Sequence, residues 1–294
     1  MASAKDLKKK IRSISNTKKI TRTMEMVATV KSKQAQDRIK ATTPYARKLA
    51  EILGSLASAG TISHPFLEAD EPAKKTLVLI ITGNRGLCGG YNSNVLALAE
   101  RWLRGEREAG RETEVHMVGK KGIARFRFRK APVEKSYTHI EDRPSFRDAE
   151  ALVEEFVARY IAGEVQRVVV FAMRYHSVSL QKPAQVQLLP IVPPEPREGE
   201  GSPPLAPKKA AAREGIEFIF EPDRETILKS LLPLSVKNAL YRVLVEAAAS
   251  EQTARRVAMK LATDNAGEMI HAYTRRYNRQ RQAGITQQIM EIVG

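Results

Sequence analysis

The chain of 294 residues carries one cysteine, Cys88. An intrachain disulfide is therefore impossible, and a reducing compartment is expected. Aromatic residues make up only 6% of the chain, with a single Trp. No series of rings is available to stack the bases of a single strand. The longest apolar runs, LVLII (77–81) and VVVFAM (168–173), have the length of strands. Both fall far short of the roughly 18 residues needed to cross a membrane. The first twenty residues are basic and contain Ser but have no apolar stretch, which excludes a secretory signal.

What is present in excess is positive charge, at a net +16. Residues 1–48 hold 14 Lys and Arg against three acids, Asp6, Glu25 and Asp37. Residues 223–294 hold 11 against seven, and the span between is nearly neutral with 24 against 23. The basic charge belongs to the two ends of the chain, which suits an acidic partner: nucleic acid, an anionic surface or an acidic protein.

Both ends read as long helices. Leu7, Ile11, Ile14, Ile20, Met24 and Val27 recur at three- and four-residue steps, with an apparent slip of register near Lys18. Pro44, after Thr42 and Thr43, is expected to kink this helix or divide it. At the other end the chain from Ser235 to Val293 holds no proline and only two glycines, Gly267 and Gly284. Leu240, Ala247, Ala254 and Leu261 stand seven apart, flanked by Val243, Val257 and Ala258, and read as a coiled-coil seam whose alanines allow close approach. Neither helix can bury its stripe alone, so the two are expected to pair antiparallel. The expected segments are an N-terminal helix over 1–56, a central domain over 74–220 and a C-terminal helix over 223–294.

The middle reads as α/β. Strands are expected over 76–82, 114–119, 166–173 and QVQLLP (185–190), the last antiparallel. Helices are expected over 93–104, 121–128 and 147–161. Alternating strands and helices make an open, largely parallel, Rossmann-like sheet. Prolines 193, 194, 196, 203, 204 and 207 mark 190–215 as a mobile loop.

The stretch ITGNRGLCGGYNSN (81–94) joins the first strand to its helix, the position at which many such folds hold a phosphate. Gly83, Gly86, Gly89 and Gly90 never give the G-x-x-x-x-G-K-[ST] spacing, and no Lys follows them. The dinucleotide pattern G-x-G-x-x-G fails as well, because Arg85 stands where its second glycine belongs. The glycines are therefore expected to let the backbone turn tightly and pack a helix on the sheet. His64, His116, His139, His176 and His271 show no metal-ligand spacing. There is no G-x-S-x-G elbow, Cys88 has no His nearby in sequence, and Glu154 and Glu155 point apart on a helix. Three readings remain open: a nucleotide-binding enzyme, a nucleic-acid-binding coiled coil, and a mechanical subunit whose helical rod projects into a partner. The failed spacings weigh against the first. The apolar residues interleaved with the basic ones weigh against the second.

Four stretches then carry a specific likeness: ITRTMEMVATVKSKQAQDR (20–38), RGLCGGYN (85–92), ASEQTARRVAMKLATDNAGEMI (249–270) and YNRQRQAGITQQIMEIVG (277–294). In this order they resemble the gamma subunits of F-type ATP synthases over nearly the whole chain, beginning near Ser3, which argues against a transit peptide. The resemblance implies the derived fold, with a Rossmann-like domain free of nucleotide. It implies a non-catalytic shaft without cofactor or metal, turning within three alpha and three beta subunits. It also implies an epsilon subunit and a membrane c-ring as partners, with neither nucleic-acid binding nor insertion into the membrane. The expected place is the cytoplasmic side of a bacterial inner membrane.

By position, the resemblance assigns Met24 to the acidic lever loop of a beta subunit, a loop whose charge Lys31 and Lys33 suit. Glu251 and Arg255 match polar contacts with the beta ring, and Arg281, Gln282 and Thr286 match a hydrogen-bonding catch. Phe220, Glu221 and Asp223 match the foot on the c-ring, with Phe220 where the family commonly has Tyr. Asn84 replaces an Asp, Gln280 an Ala and Gln288 a Glu. The loop at 190–215 lacks the cysteine pair of a chloroplast-type thiol switch.

Overall fold

The computed structural model describes residues 4–58, 64–67, 73–191 and 223–294. The expected loop at 190–215, and Phe220 and Glu221, lie almost wholly outside these residues. Helix α1 spans Ala4–Ser58, and the central domain follows as β1 (Lys75–Ile81), α2 (Tyr91–Glu108), β2 (Glu112–Val118), α3 (Lys120–Phe128), β3 (Lys135–Tyr137), α4 (Phe146–Ile161), β4 (Arg167–Tyr175) and β5 (Gln181–Leu189). Helix α5, Arg224–Val293, closes the chain.

The five strands lie in the order β3-β2-β1-β4-β5, parallel except for β5, which runs antiparallel to β4. Strand β1 is central, and its side chains alternate between two buried faces. Leu77, Leu79 and Ile81 join α4, α5 and the end of α1, whereas Val78 and Ile80 join α2 and α3. The doubly buried sheet explains why LVLII is apolar without a break. The short β3 was not legible in sequence, because KSY buries only Tyr137. On α4, Ser145 and Asp148 form a reciprocal cap, each side chain accepting from the other's backbone N–H.

Helices α1 and α5 pair antiparallel, as expected, but through a different seam. A buried or half-buried residue stands at each of positions 7, 11, 14, 18, 21, 25, 28, 32, 35, 39, 42, 46, 49 and 53. This four-three alternation is unbroken, so no slip occurs at Lys18. Its middle is filled by Lys18, Thr21, Glu25, Ala28, Ser32 and Ala35 rather than by large apolar residues. Ile20 and Val27, which the apolar pattern places inside, are 60% and 51% exposed, and Met24 is half-buried. Hydroxyls meet across the pairing: Thr263 Oγ1 donates to Thr21 Oγ1 at 2.8 Å, and Ser32 Oγ and Thr253 Oγ1 are also 2.8 Å apart.

The expected seam on α5 is corrected in the same way. Leu240, Val243 and Ala247 pack into the core of the central domain. Ala254 leans on the layer made by α2, and Val257 and Leu261 are exposed. Past the domain, burial instead follows Gln252, Arg256, Met259, Thr263, Ala266, Ile270, Tyr273 and Tyr277. Pro44 neither ends nor divides α1. The hydroxyls of Thr42 and Thr43 donate to the Arg38 and Ile39 carbonyls, and Leu49 and Leu53 beyond the proline are locked into the core. Tertiary packing holds the helix through the lost N–H.

Two predictions follow from this architecture. In a Cys88→Ala background, Thr21→Cys with Thr263→Cys should close a disulfide within one chain, read as a mobility shift without dimer. Disulfides formed only between chains would contradict the pairing. The second concerns Glu114 on β2, which receives both Nη1 and Nη2 of Arg159 at 2.6 and 2.8 Å and lies 3.0 Å from His116 Nε2. These bonds, Arg159 foremost, lower its pKa from 4.5 to about 2. A depressed carboxylate stabilises the fold above its unfolded value and loses that contribution as pH falls through its folded one. Relative to Glu114→Gln, the native chain should lose up to about 3 kcal/mol between pH 4.5 and pH 2 in urea titrations.

Candidate functional site

The glycine turn after β1 is held by hydrogen bonds from the backbone and from the Thr82 and Asn92 side chains. Thr82 sends its N–H and its hydroxyl to the Val118 carbonyl at 2.9 and 2.8 Å, and its hydroxyl oxygen accepts from the N–H of Gly122 at 3.0 Å. Gly119, at φ 93°, lies against the Thr82 carbonyl, where any Cβ would collide. The N–H of Gly83 donates to Asn92 Oδ1 at 2.8 Å, which ties the turn to the first turn of α2. Cys88 is buried beneath that helix and accepts from Asn92 Nδ2 at 3.2 Å. Burial pushes its thiol pKa up, so the sulfur stays protonated and packs as a small apolar group.

Gly83 abuts a residue 168 positions away. A Cβ there would sit 2.8 Å from the carboxyl carbon of Glu251 on α5. Glu251 is 7% exposed, and Arg255, one turn further along, donates to its Oε1 at 2.6 Å. The same guanidinium reaches the Gly86 carbonyl at 3.4 Å. Burial raises the pKa of Glu251, and Arg255 draws it back down. The turn is thus a socket for a charged pair carried by the long helix.

A second fastening lies beside the socket. Asp142 accepts from Lys31 Nζ of α1 at 2.5 Å and from Gln252 Nε2 of α5 at 3.0 Å. Arg143 donates to Gln34 on α1. The loop bearing Asp142 is itself held by Asn84, whose side-chain amide donates to the Thr138 and Ile140 carbonyls. Its Oδ1 accepts from the Lys120 N–H at 3.0 Å. An aspartate at position 84 could not donate to two carbonyls, which accounts for the amide here. Asp142 was not singled out by sequence reasoning; an isolated acid in a loop gives no periodic signal.

The sequence-predicted residues fall into two groups. Glu251, Arg255 and Lys31 are engaged inside the chain, the first two buried and paired with each other, the third bonded to Asp142. Met24, Lys33, Arg281, Gln282 and Thr286 face outward along the rod, Met24 half-buried and the others exposed. Lys33 pairs with Asp37 at 3.2 Å, and the Thr286 hydroxyl donates to the Gln282 carbonyl. Asp223 caps the N-terminus of α5, accepting from the N–H of Thr226 at 2.8 Å and from its hydroxyl at 2.7 Å. Among the described residues no group of three or more His, Cys, Asp and Glu is placed to hold a metal. No described helix is long and apolar enough to cross a membrane.

A family model described as "ATP synthase" matches residues 3–294. The chain is 43% identical over 295 residues to an ATP synthase gamma chain of Leptospira biflexa, covering all of this chain and 98% of the relative. It is 42% identical over 297 residues to one from Gemmatimonas aurantiaca, with the same coverage. Among solved structures, a chain of the Euglena gracilis mitochondrial ATP synthase in rotational state 3 superposes with a TM-score of 0.67 at 22% identity, over 99% of this chain and 92% of that one. A chain of the Tetrahymena thermophila mitochondrial ATP synthase central stalk and c-ring gives 0.58 at 22% identity, over 83% and 99%. The structural likeness shows the shared fold, and the full-length identities place this chain in the ATP synthase gamma chain family.

Proposed function

We propose that the chain is the non-catalytic rotor shaft of an F-type ATP synthase. It turns within a ring of three alpha and three beta subunits and couples the rotation of a c-ring to ATP synthesis, with an epsilon subunit bound beside it. A position on the cytoplasmic side of a bacterial inner membrane fits the relatives from Leptospira and Gemmatimonas. The observation that carries the reading is the surface of the rod. From Arg281 to Gly294, α5 is exposed on every face, and it bears Ile285, Ile289, Met290, Ile292 and Val293 there. A single helix turned to water on all sides gains little from propensity alone, so such a tip needs a sleeve.

Lower on the rod, Ile20, Met26, Val27 and Val30 form an outward apolar band on a helix rich in Lys and Arg. A rod with different side chains at each azimuth meets three identical clefts differently. It thereby biases their open and closed populations as it turns. In this reading Met24, Lys33, Arg281, Gln282 and Thr286 touch beta subunits directly. Glu251 and Arg255 act from within, by holding the rod to its domain, and Lys31 does so through Asp142. The resemblance assigns Phe220, Glu221 and Asp223 to contact with the c-ring.

Exposed ion pairs contribute roughly 0–1 kcal/mol and are screened by salt, so Lys33→Ala should change coupling only slightly. Met24→Lys is different, because it sets a new cation among half-buried neighbours opposite an acidic loop. A bond that must break at each step raises the barrier to rotation. This variant should assemble normally, yet drive ATP synthesis poorly from a given proton gradient, more so in the cold. Membranes carrying it are compared with native ones for ATP-driven proton pumping. Unchanged pumping would mean that Met24 only packs against the seam.

A further inference from the structure

A groove of about 580 Å³ opens between the N-terminus of α2, the β4–β5 hairpin and α5. It lies at the carboxyl ends of β1 and β4, beside Gly89 and Gly90 and against Met173. The strand order β3-β2-β1-β4-β5 reverses direction between β1 and β4. In open α/β sheets this switch point is where a crevice forms and ligands bind. The socket for Glu251 fills one side of the glycine turn; this groove is the other side.

Three features of the groove lack partners. Helix α2, 18 residues long, follows Gly90 with no N-cap side chain bonded to its first turn; the Tyr91 N–H donates to the Cys88 carbonyl at 3.2 Å, and no acidic side chain stands at the positive end of the dipole. Ser250 lines the groove at 0% exposure, and its Oγ has no hydrogen-bond partner among the described residues. A buried hydroxyl without a partner is a costly arrangement in a folded protein and points to an absent acceptor or donor. Arg256 also lines the groove, half-buried, and makes no ion pair or hydrogen bond among the described residues. Asn94 adds a further amide, and no Asp or Glu lines the groove. Glu251, the neighbour of Ser250 in sequence, is already matched by Arg255.

We propose that this groove binds a phosphate group, with the uncapped α2 terminus, the Arg256 guanidinium and the Ser250 hydroxyl as donors. A helix terminus, a planar guanidinium and a hydroxyl together suit a tetrahedral dianion. The apolar wall of Met173, Val178 and Val257 leaves room for an organic body on that phosphate. The ligand is therefore inorganic phosphate or the terminal phosphate of a nucleotide. The missing glycine spacings exclude a dinucleotide seated in the usual way, but they do not bear on a lone phosphate group.

The test is calorimetric titration of the full-length chain with inorganic phosphate and, separately, with ADP, at constant ionic strength. Variants Arg256→Gln and Ser250→Ala are titrated alongside Arg107→Gln, which removes an arginine outside the groove. Far-UV circular dichroism establishes that each is folded. The expected result is saturable binding that Arg256→Gln weakens about tenfold or more and Ser250→Ala by a smaller factor, with Arg107→Gln without effect. Saturation by phosphate alone identifies the free anion as the ligand; saturation only by ADP identifies the nucleotide. Absence of saturable binding by either would overturn the proposal. So would equal weakening by Arg256→Gln and Arg107→Gln, which would mark diffuse attraction to a basic surface.

Discussion

The arrangement depends on one constraint: α5 must bury two sides at once. Between Leu228 and Ala247 it closes the core under the sheet, and beyond Gln252 it is half of a coiled coil. A helix shared in this way makes rod and domain one body. The joint between the two roles falls at Glu251, whose carboxylate sits where Gly83 has no side chain. A buried carboxylate is tolerated only when matched, and Arg255 matches it while also reaching the Gly86 carbonyl. Asp142 then ties the same level of α5 to Lys31 of α1. Torque entering through the domain has a fixed, polar connection to the rod at this level.

The middle of the seam above the joint holds small and hydroxylated residues, Thr21, Ala28, Ser32 and Ala35 on α1 and Thr263 and Ala266 on α5. Large apolar seams give affinity through area, whereas Thr21–Thr263 and Ser32–Thr253 place hydroxyl against hydroxyl at two defined levels of the pairing, which favours one register. Several large apolar residues, Ile20, Val27 and Leu261 among them, are left on the outside. A rod free in water would reverse that distribution. The distribution fits a shaft that keeps its own two helices in register and offers its apolar surface to a surrounding ring.

How legible this was in sequence varied with the kind of signal. Strand and helix types in the middle were read correctly, since LVLII, VVVFAM and the amphipathic runs are strongly patterned. The failed glycine spacings rightly directed attention to packing, although not to Glu251 as what is packed. The helical ends were legible as a pair and misread in register. An apolar-periodicity argument follows Ile20 and Val27, whereas the inward positions are held by half-buried Lys18 and buried Thr21 and Ser32. Pattern alone cannot tell an inward stripe from an outward one when the inward stripe is polar. Long-range pins such as Asp142 leave no local trace, because their partners are over a hundred residues away.

The claim most open to direct contradiction is that a buried, matched Glu251 fastens the rod to its domain. Its pKa is raised by burial, so its ionised form is disfavoured in the folded state as pH rises above the unfolded value of 4.5, and Arg255 limits that cost. Urea unfolding of the native chain and of Arg255→Gln, followed from pH 4 to pH 8, measures this. The account predicts a small gap at the acid end, where the carboxylate is protonated, widening to about 3 kcal/mol at neutral pH as an unmatched charge is forced into the socket. A gap that does not change with pH would contradict it.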